Sequence, residues 1–335
     1  MKIAVLGHGH WGRNLVRVFH ELGALAVVCE ASEVARKEVA QKYPGVQVES
    51  DSGAVFGNAL IEGVVIATPA ETHFALAQAA MEAGKHAFVE KPIALRSSDA
   101  EKLVALAGAR KRVLMVGHLL RYHPAILKLK ELCRAGELGR IEYVYCNRLN
   151  LGKVRREENA LWSFAPHDVS VLLHLFEAMP LQVSTTGGTY LQPNIADVTL
   201  SNLQFDNGAR AHIFVSWLHP FKEQKLVVVG SKKMAVFDDV AAQNKLMLFD
   251  KEIALVNGNF QVKRPEGVPV TVDGTEPLQN ECRHFLDCVA SGRAPDTDGG
   301  EGLRVLLVLQ ACQKSLQLNG EPVAVGGLNR EILHA

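Results

Sequence analysis

Met1-Lys2-Ile3-Ala4-Val5-Leu6-Gly7-His8-Gly9-His10-Trp11-Gly12 opens the chain. The apolar run Ile3–Leu6 reads as a buried strand, and Gly7-His8-Gly9-His10-Trp11-Gly12 is a GxGxxG pattern between that strand and the helix expected over residues 11–22. Gly7 permits the tight turn, Gly9 lets backbone approach a pyrophosphate, and Gly12 lets helix and strand pack closely. The helix N-terminus adds unpaired N–H donors and the positive end of its dipole. These six residues, His8, His10 and Trp11 included, are therefore read as cofactor-binding.

Outward from this loop the rhythm continues. Leu25–Cys29, Val46–Val48, Val64–Ala67, Ala87–Val89 and Val113–Val116 are further strand candidates. They alternate with helical stretches at 32–42, 71–83 and 97–110, for which Ser32 and Ser97 are expected N-caps and Gly84 a stop. Six such strands predict a doubly wound parallel sheet of the Rossmann type. After Arg121 the pattern changes to a helix at 124–134, a strand at 141–150 and a helix at about 167–176. Strands dominate 182–255, where Val198–Phe205 and Arg210–Trp217 flank the turn Asp206-Asn207-Gly208. Helices are expected at 277–291 and 301–317. The fold class is α/β: a dinucleotide-binding domain over 1–120, then an α+β domain with a large, mostly antiparallel open sheet over 121–335, which binds substrate and makes oligomers.

Composition narrows the function classes. Thirty-six Lys and Arg balance thirty-six Asp and Glu, so no net positive field is available for nucleic acid or an anionic membrane. Apolar runs such as Val305–Leu309 fall far short of the roughly 18 residues a bilayer span needs. No signal-peptide pattern precedes the first strand, so the expected location is cytoplasmic. Cys29, Cys133, Cys146, Cys282, Cys288 and Cys312 lack paired zinc spacing and read as buried thiols, and the histidines form no HExxH, so no metal is expected.

Glu30 ends the second strand, eighteen residues beyond Gly12, where a carboxylate accepts from ribose hydroxyls and repels a 2′-phosphate; the cofactor expected is NAD, with Arg36 close enough to moderate the choice. Thr68-Pro69-Ala70-Glu71-Thr72-His73 follows the fourth strand and Glu90-Lys91-Pro92 the fifth, so both crowd the carboxyl edge, where doubly wound sheets bind ligands. Here the chain resembles the Gfo/Idh/MocA family of sugar oxidoreductases, which carry a similar ATPxxxH turn and EKP motif. The resemblance places Thr68, Pro69, His73, Glu90, Lys91 and Pro92 at the cofactor and Lys91 at the reacting hydroxyl, where an ammonium stabilises a developing alkoxide.

A second segment, Trp162-Ser163-Phe164-Ala165-Pro166-His167-Asp168-Val169-Ser170, resembles the family's GxHxxD, with Ala165 in place of its glycine and Ser170 in place of its acid. His167 matches the family histidine, the general-base candidate; Asp168, Ser170 and Lys91 are its alternative orienting partners. This segment and Trp217-Leu218-His219-Pro220-Phe221-Lys222 are similar to the branch that oxidises UDP-N-acetylglucosamine or its uronate at C3. That likeness implies a 3-keto product passed to an aminotransferase, for 3-amino sugars of lipopolysaccharide or other envelope glycans. It also implies Arg121, Tyr122, Arg148, Trp162, Asp168 and Lys222 at the substrate, with Lys153, Arg155 and Arg156 as further cations. A homodimer or homotetramer through the later sheet is expected. Rival readings are a dehydrogenase of a free sugar, inositol or sugar phosphate, an NAD-using glycoside hydrolase, and a silent NAD-sensing regulator.

Overall fold

The computed structural model describes residues 1–326. In chain order the elements are β1 (Ile3–Leu6), α1 (Gly12–Glu21), β2 (Leu25–Cys29), α2 (Glu33–Lys42), β3 (Gln47–Glu49), α3 (Ser52–Gly57), β4 (Gly63–Ile66), α4 (His73–Glu82), β5 (His86–Glu90), α5 (Ser97–Arg110) and β6 (Leu114–Gly117). There follow α6 (Pro124–Arg134), β7 (Ile141–Leu149), α7 (Ala160–Phe176), β8 (Gln182–Gly188), β9 (Val198–Gln204), β10 (Arg210–Ser216), β11 (Glu223–Gly230) and β12 (Lys233–Asp238). Then come β13 (Leu246–Asp250), β14 (Glu252–Val256), β15 (Asn259–Lys263), β16 (Val268–Pro269), α8 (Pro277–Ser291), α9 (Gly299–Gln317) and β17 (Val323–Ala324).

The chain forms two compact units among the described residues, 1–122 with 275–306, and 123–274 with 307–326. In the first, six parallel strands run in the order β3-β2-β1-β4-β5-β6. Both faces of such a sheet are covered, so its strands are runs of Val, Ile and Leu without polar alternation. The division differs from the expected boundary at 120, because α8 returns to the first unit. Its stripe Leu278, Cys282, Phe285 and Cys288 belongs to the same buried core as Ile3, Val5, Phe19 and Phe88. Phe285 meets Phe88 at 5.6 Å and Phe19 edge-on at 6.5 Å between ring centroids.

The second unit is built on a nine-stranded sheet, β16-β13-β12-β11-β7-β10-β9-β8-β17, antiparallel throughout except for β7 beside β10. The turn after β9 pairs Gln204 with Arg210, as the Asp-Asn-Gly signal predicts. Helix α7 packs on β7, β9 and β10, burying Ala211, Ile213 and Val215, while Tyr143, Tyr145 and His212 lie on the opposite, half-exposed face. Two local expectations change. Ser97 is the first helical residue of α5, with Arg96 at the cap, whereas Ser32 does cap α2 by accepting from the Ala35 N–H. Helix α7 starts at Ala160, capped by Asn159, ahead of the start expected at about residue 167, and carries Pro166 within it. The ring removes one backbone donor, and the tertiary packing of a helix buried on most of its surface outweighs that loss.

Phe285 is fully buried between two rings of the first unit. Phe285→Ala is expected to destabilise that unit by about 3–5 kcal/mol in denaturant titrations followed by circular dichroism. A loss below about 1 kcal/mol contradicts the placement of α8 in that core.

Candidate active site

The carboxyl edge of the six-stranded sheet gathers the loops after β1, β2, β4 and β5, and the strand order reverses between β1 and β4, the point where such sheets bind ligands. Gly7 has φ +92°, and a Cβ there would stand 2.7 Å from the Ala67 carbonyl oxygen. A Cβ on Gly12 would stand 2.1 Å from the Gly7 carbonyl oxygen. Gly9 faces open space, with nothing within 4 Å of such an atom. Two glycines thus allow close packing, and the third leaves a vacant approach at the start of α1.

Glu30 lies beside this loop. Its carboxylate accepts from the His8 backbone N–H at 2.6 Å and from the Ser32 N–H at 2.9 Å. Arg36 turns back on the backbone, donating to the carbonyls of Glu30 and Ala31 at 2.8 and 2.6 Å. The His8 ring is buried, which pulls its pKa below the ordinary value, and its Nδ1 has no hydrogen-bond partner among the described residues. His10 is exposed, and the Trp11 indole donates to Glu90 Oε1 at 2.6 Å, tying the glycine loop to the end of β5.

His73 ties the other two loops together. One ring nitrogen meets the Pro92 carbonyl at 2.7 Å and the other the Thr68 carbonyl at 2.9 Å. Thr68 is braced in turn by Thr72, and Thr72 by the Pro69 carbonyl. Burial lowers the His73 pKa despite those two carbonyls, and the Lys91 charge lowers it further. Burial pushes the Glu90 carboxyl up to about 7, opposed by the Trp11 bond and by Lys91. The Lys91 side chain is therefore in electrostatic reach of both, and it precedes a cis peptide bond to Pro92.

Arg121 is buried, 3.5 Å from Glu301, whose other oxygen meets His118 at 2.6 Å. The Tyr122 hydroxyl is 2.9 Å from that of Thr297. These partners lie some 175 residues or more along the chain. Arg121 and Tyr122 thus contribute to the interior of the first unit.

In the second unit, Arg148 on β7 grips Asp168 on α7 with two parallel bonds of 3.0 Å, both side chains buried. Burial opposes the arginine charge, yet Asp168 raises its pKa on balance. This fork–fork pair pins the turn of α7 that carries the half-exposed His167. It also occupies both Asp168 oxygens. Ser170 lies one turn beyond His167, on the neighbouring stripe of the helix. Trp162 donates to Gln313 at 3.0 Å, and Lys222 is exposed. Trp217, in the second tryptophan segment, is fully buried, its indole bonded to Asp197 at 2.5 Å. Among the described residues no three His, Cys, Asp or Glu side chains gather as metal ligands.

Residues 1–118 match the oxidoreductase family with an NAD-binding Rossmann fold, and residues 126–236 the GFO/IDH/MocA C-terminal domain. The chain belongs to the Gfo/Idh/MocA oxidoreductases. It is 30% identical to the UDP-N-acetylglucosamine 3-dehydrogenase of Acidithiobacillus ferrooxidans, over 91% of this chain and 94% of that one. The solved structure of an enzyme of that name from the same organism superposes with a TM-score of 0.85, covering 95% of this chain and 98% of the other at 27% identity. Inositol 2-dehydrogenase 1 of Saccharopolyspora erythraea is 26% identical, over 97% and 96% of the two chains.

The vacant approach at Gly9, the helix start behind it and the Glu30 carboxylate together fit the NAD that the family's Rossmann domain binds. Two glycine substitutions separate packing from binding. Gly12→Ala is expected to destabilise the protein, since its methyl collides with the Gly7 carbonyl. Gly9→Ala is expected to change stability by no more than about 0.5 kcal/mol, yet to weaken NAD binding in calorimetric titration. Loss of stability in Gly9→Ala, or unchanged affinity, contradicts this assignment.

Proposed function

We propose that this oxidoreductase uses NAD to oxidise the C3 hydroxyl of a UDP-linked N-acetylamino sugar, UDP-N-acetylglucosamine or its uronate, to the 3-keto sugar. The observation that carries the reading is the 30% identity to a UDP-N-acetylglucosamine 3-dehydrogenase along nearly the whole of both chains. A dehydrogenase of inositol or another free sugar is the second reading, favoured by the full-length likeness to inositol 2-dehydrogenases.

NAD, when bound, supplies the acceptor for the hydride of the carbinol carbon. The chain supplies the rest. Removal of hydride from a C–H bearing a hydroxyl requires the hydroxyl proton to leave, and the oxygen carries negative charge as it does so. The Lys91 ammonium stabilises that charge, and the His167 imidazole accepts the proton, or the two exchange these roles. Arg148 acts through Asp168 to hold the first turns of α7, and His73 acts through the Thr68 and Pro92 carbonyls to hold the loops around Lys91. Exposed Lys222 and half-exposed Trp162 remain the proposed substrate contacts of the second unit.

NAD is favoured over NADP because the Glu30 carboxylate stands beside the glycine loop and the Arg36 guanidinium is directed at backbone carbonyls. The half-exposed sheet face bearing Tyr143, Tyr145, His212 and the exposed Leu200 supports assembly into a homodimer or homotetramer. A 3-keto product is the substrate that an aminotransferase of envelope 3-amino sugars requires. A cytoplasmic location accords with six free cysteines and with the absence, among the described residues, of any helix long and apolar enough to cross a membrane.

The test offers NAD or NADP with UDP-N-acetylglucosamine, its uronate, inositol or glucose, following reduced nicotinamide absorbance without a hydride acceptor and, in parallel with a 2-oxo acid to recycle tightly held cofactor, the keto sugar and 2-hydroxy acid by mass spectrometry. Turnover with NAD and a UDP-sugar is expected; turnover with inositol alone establishes the second reading. Lys91→Ala and His167→Asn are each expected to lower kcat by about 10²–10⁴-fold, with far smaller changes in dinucleotide affinity. Full activity in both variants overturns the assigned chemistry.

A further inference from the structure

Helix α8 carries one residue out of keeping with its buried stripe. Leu278, Cys282, Phe285 and Cys288 recur at helical spacing, and Glu281 lies among them, 0% exposed. Neither of its carboxylate oxygens has a hydrogen-bond partner among the described residues. The charge that bears on it is that of Glu90, whose presence adds to burial in pushing Glu281 well above the usual carboxylate range. Phe285, one turn further along α8, meets Phe88, which shares a face of β5 with Glu90 two residues on, so the two carboxyl groups lie in one apolar interior, where two negative charges cannot be held together.

The Glu90 carboxyl is the fixed member of the pair. It receives the Trp11 indole N–H on Oε1, and it packs on Gly117, where a Cβ would lie 2.9 Å from its carboxyl carbon and both oxygens. Glycine at 117 thus makes room for it on β6. The other titratable groups facing the pair are Lys91, next in sequence to Glu90, and Tyr122 and Cys282, which feel Glu281. Burial pushes both Tyr122 and Cys282 well up, so each stays neutral through the physiological range. Arg17 and Glu276 pair with each other at 2.6 Å, exposed to solvent.

We propose that Glu281 is a positioning residue which, as a neutral carboxylic acid, donates its proton to the Glu90 carboxylate, so that the two side chains hold one proton between them beside Lys91. One Glu90 oxygen then takes the Trp11 indole and the other takes Glu281. The glycine loop is fastened to the end of β5, and the pair presents one negative charge, not two, beside the Lys91 ammonium. The pairing lies wholly within the first unit; only its consequence for catalysis rests on the dehydrogenase reading.

Protonation of Glu90 is readable without substrate, because its partner is a fluorophore. Above a carboxyl value of about 7 the group is ionised in the folded protein, while in the unfolded chain it ionises from 4.5. The folded state thus binds more protons between these values, and the stability contributed by the buried acid is lost as pH rises through that window. The experiment is a pH titration of tryptophan emission in the cofactor-free protein, with Trp11→Phe as the blank for Trp162 and Trp217. A midpoint near 7 is expected for the wild type. Glu281→Gln keeps an N–H donor and is expected to retain that midpoint. Glu281→Leu removes the donor and is expected to raise the midpoint by about one to two units, with a matching loss of NAD affinity at neutral pH that recovers at alkaline pH. Infrared spectra taken above the midpoint are expected to show a protonated carboxyl band in the wild type that Glu281→Gln lacks, which keeps the test decisive if Glu281→Leu fails to fold. A midpoint lowered in both variants shows Glu281 to be ionised and overturns the proposal, as does a midpoint moved by neither variant or an infrared band unchanged in Glu281→Gln. None of these readings depends on which sugar is the substrate.

Discussion

The contact on which the rest depends is the approach of α1 to the turn that follows β1, with Gly12 lying so close to the Gly7 carbonyl that no side chain fits between them. That closeness aims the start of α1 along the carboxyl edge of the sheet. Several side chains of the first unit tie into the same turn. Glu30 accepts from the His8 N–H within the same turn, Trp11 reaches across to Glu90, and Gly7 packs on Ala67 at the mouth of the Thr68 loop. A dinucleotide site made this way is chiefly backbone, so it asks little of the side chains except that three of them be absent.

Much of this was legible because parallel strands buried on both faces leave a strong trace. Ile3–Leu6, Leu25–Cys29 and Val64–Val65 are apolar without alternation, and the glycine loop fixes which end of the sheet is functional. Helix α3 left no such trace, since Ser52–Gly57 has only six residues and two glycines, and its start is set by an Asp51 cap. The early start of α7 was not legible for a different reason: proline is locally unfavourable inside a helix, while the buried stripe around Pro166 keeps α7 continuous from Ala160. The return of α8 to the first unit is a long-range choice, made by Phe285 finding Phe19 and Phe88, and no local pattern encodes it.

Charged side chains were harder to read than apolar ones. A lone arginine in a sequence can face water, a phosphate or a buried acid, and the deciding partner of Arg121 is Glu301, that of Arg148 is Asp168. Both pairs are buried, where the loss of one member leaves the other uncompensated, so they act in holding helices and loops in place. Glu281 shows the converse. Helical spacing puts it in the stripe of Leu278, Cys282 and Phe285, inside the first unit, but spacing alone does not say what lies across from it.

The first unit carries the family's NAD-binding Rossmann domain, and the second carries a helix held by Arg148 and Asp168; the proposed chemistry draws Lys91 from the one and His167 from the other. Hydride transfer from a sugar carbon is the chemistry this division serves. Its most direct measurement is isotopic. With UDP-N-acetylglucosamine carrying deuterium at C3, the account predicts that mass spectrometry finds the label in the reduced dinucleotide, together with an unlabelled 3-keto sugar. Label retained in the sugar, or released to water while the dinucleotide stays unlabelled, contradicts it.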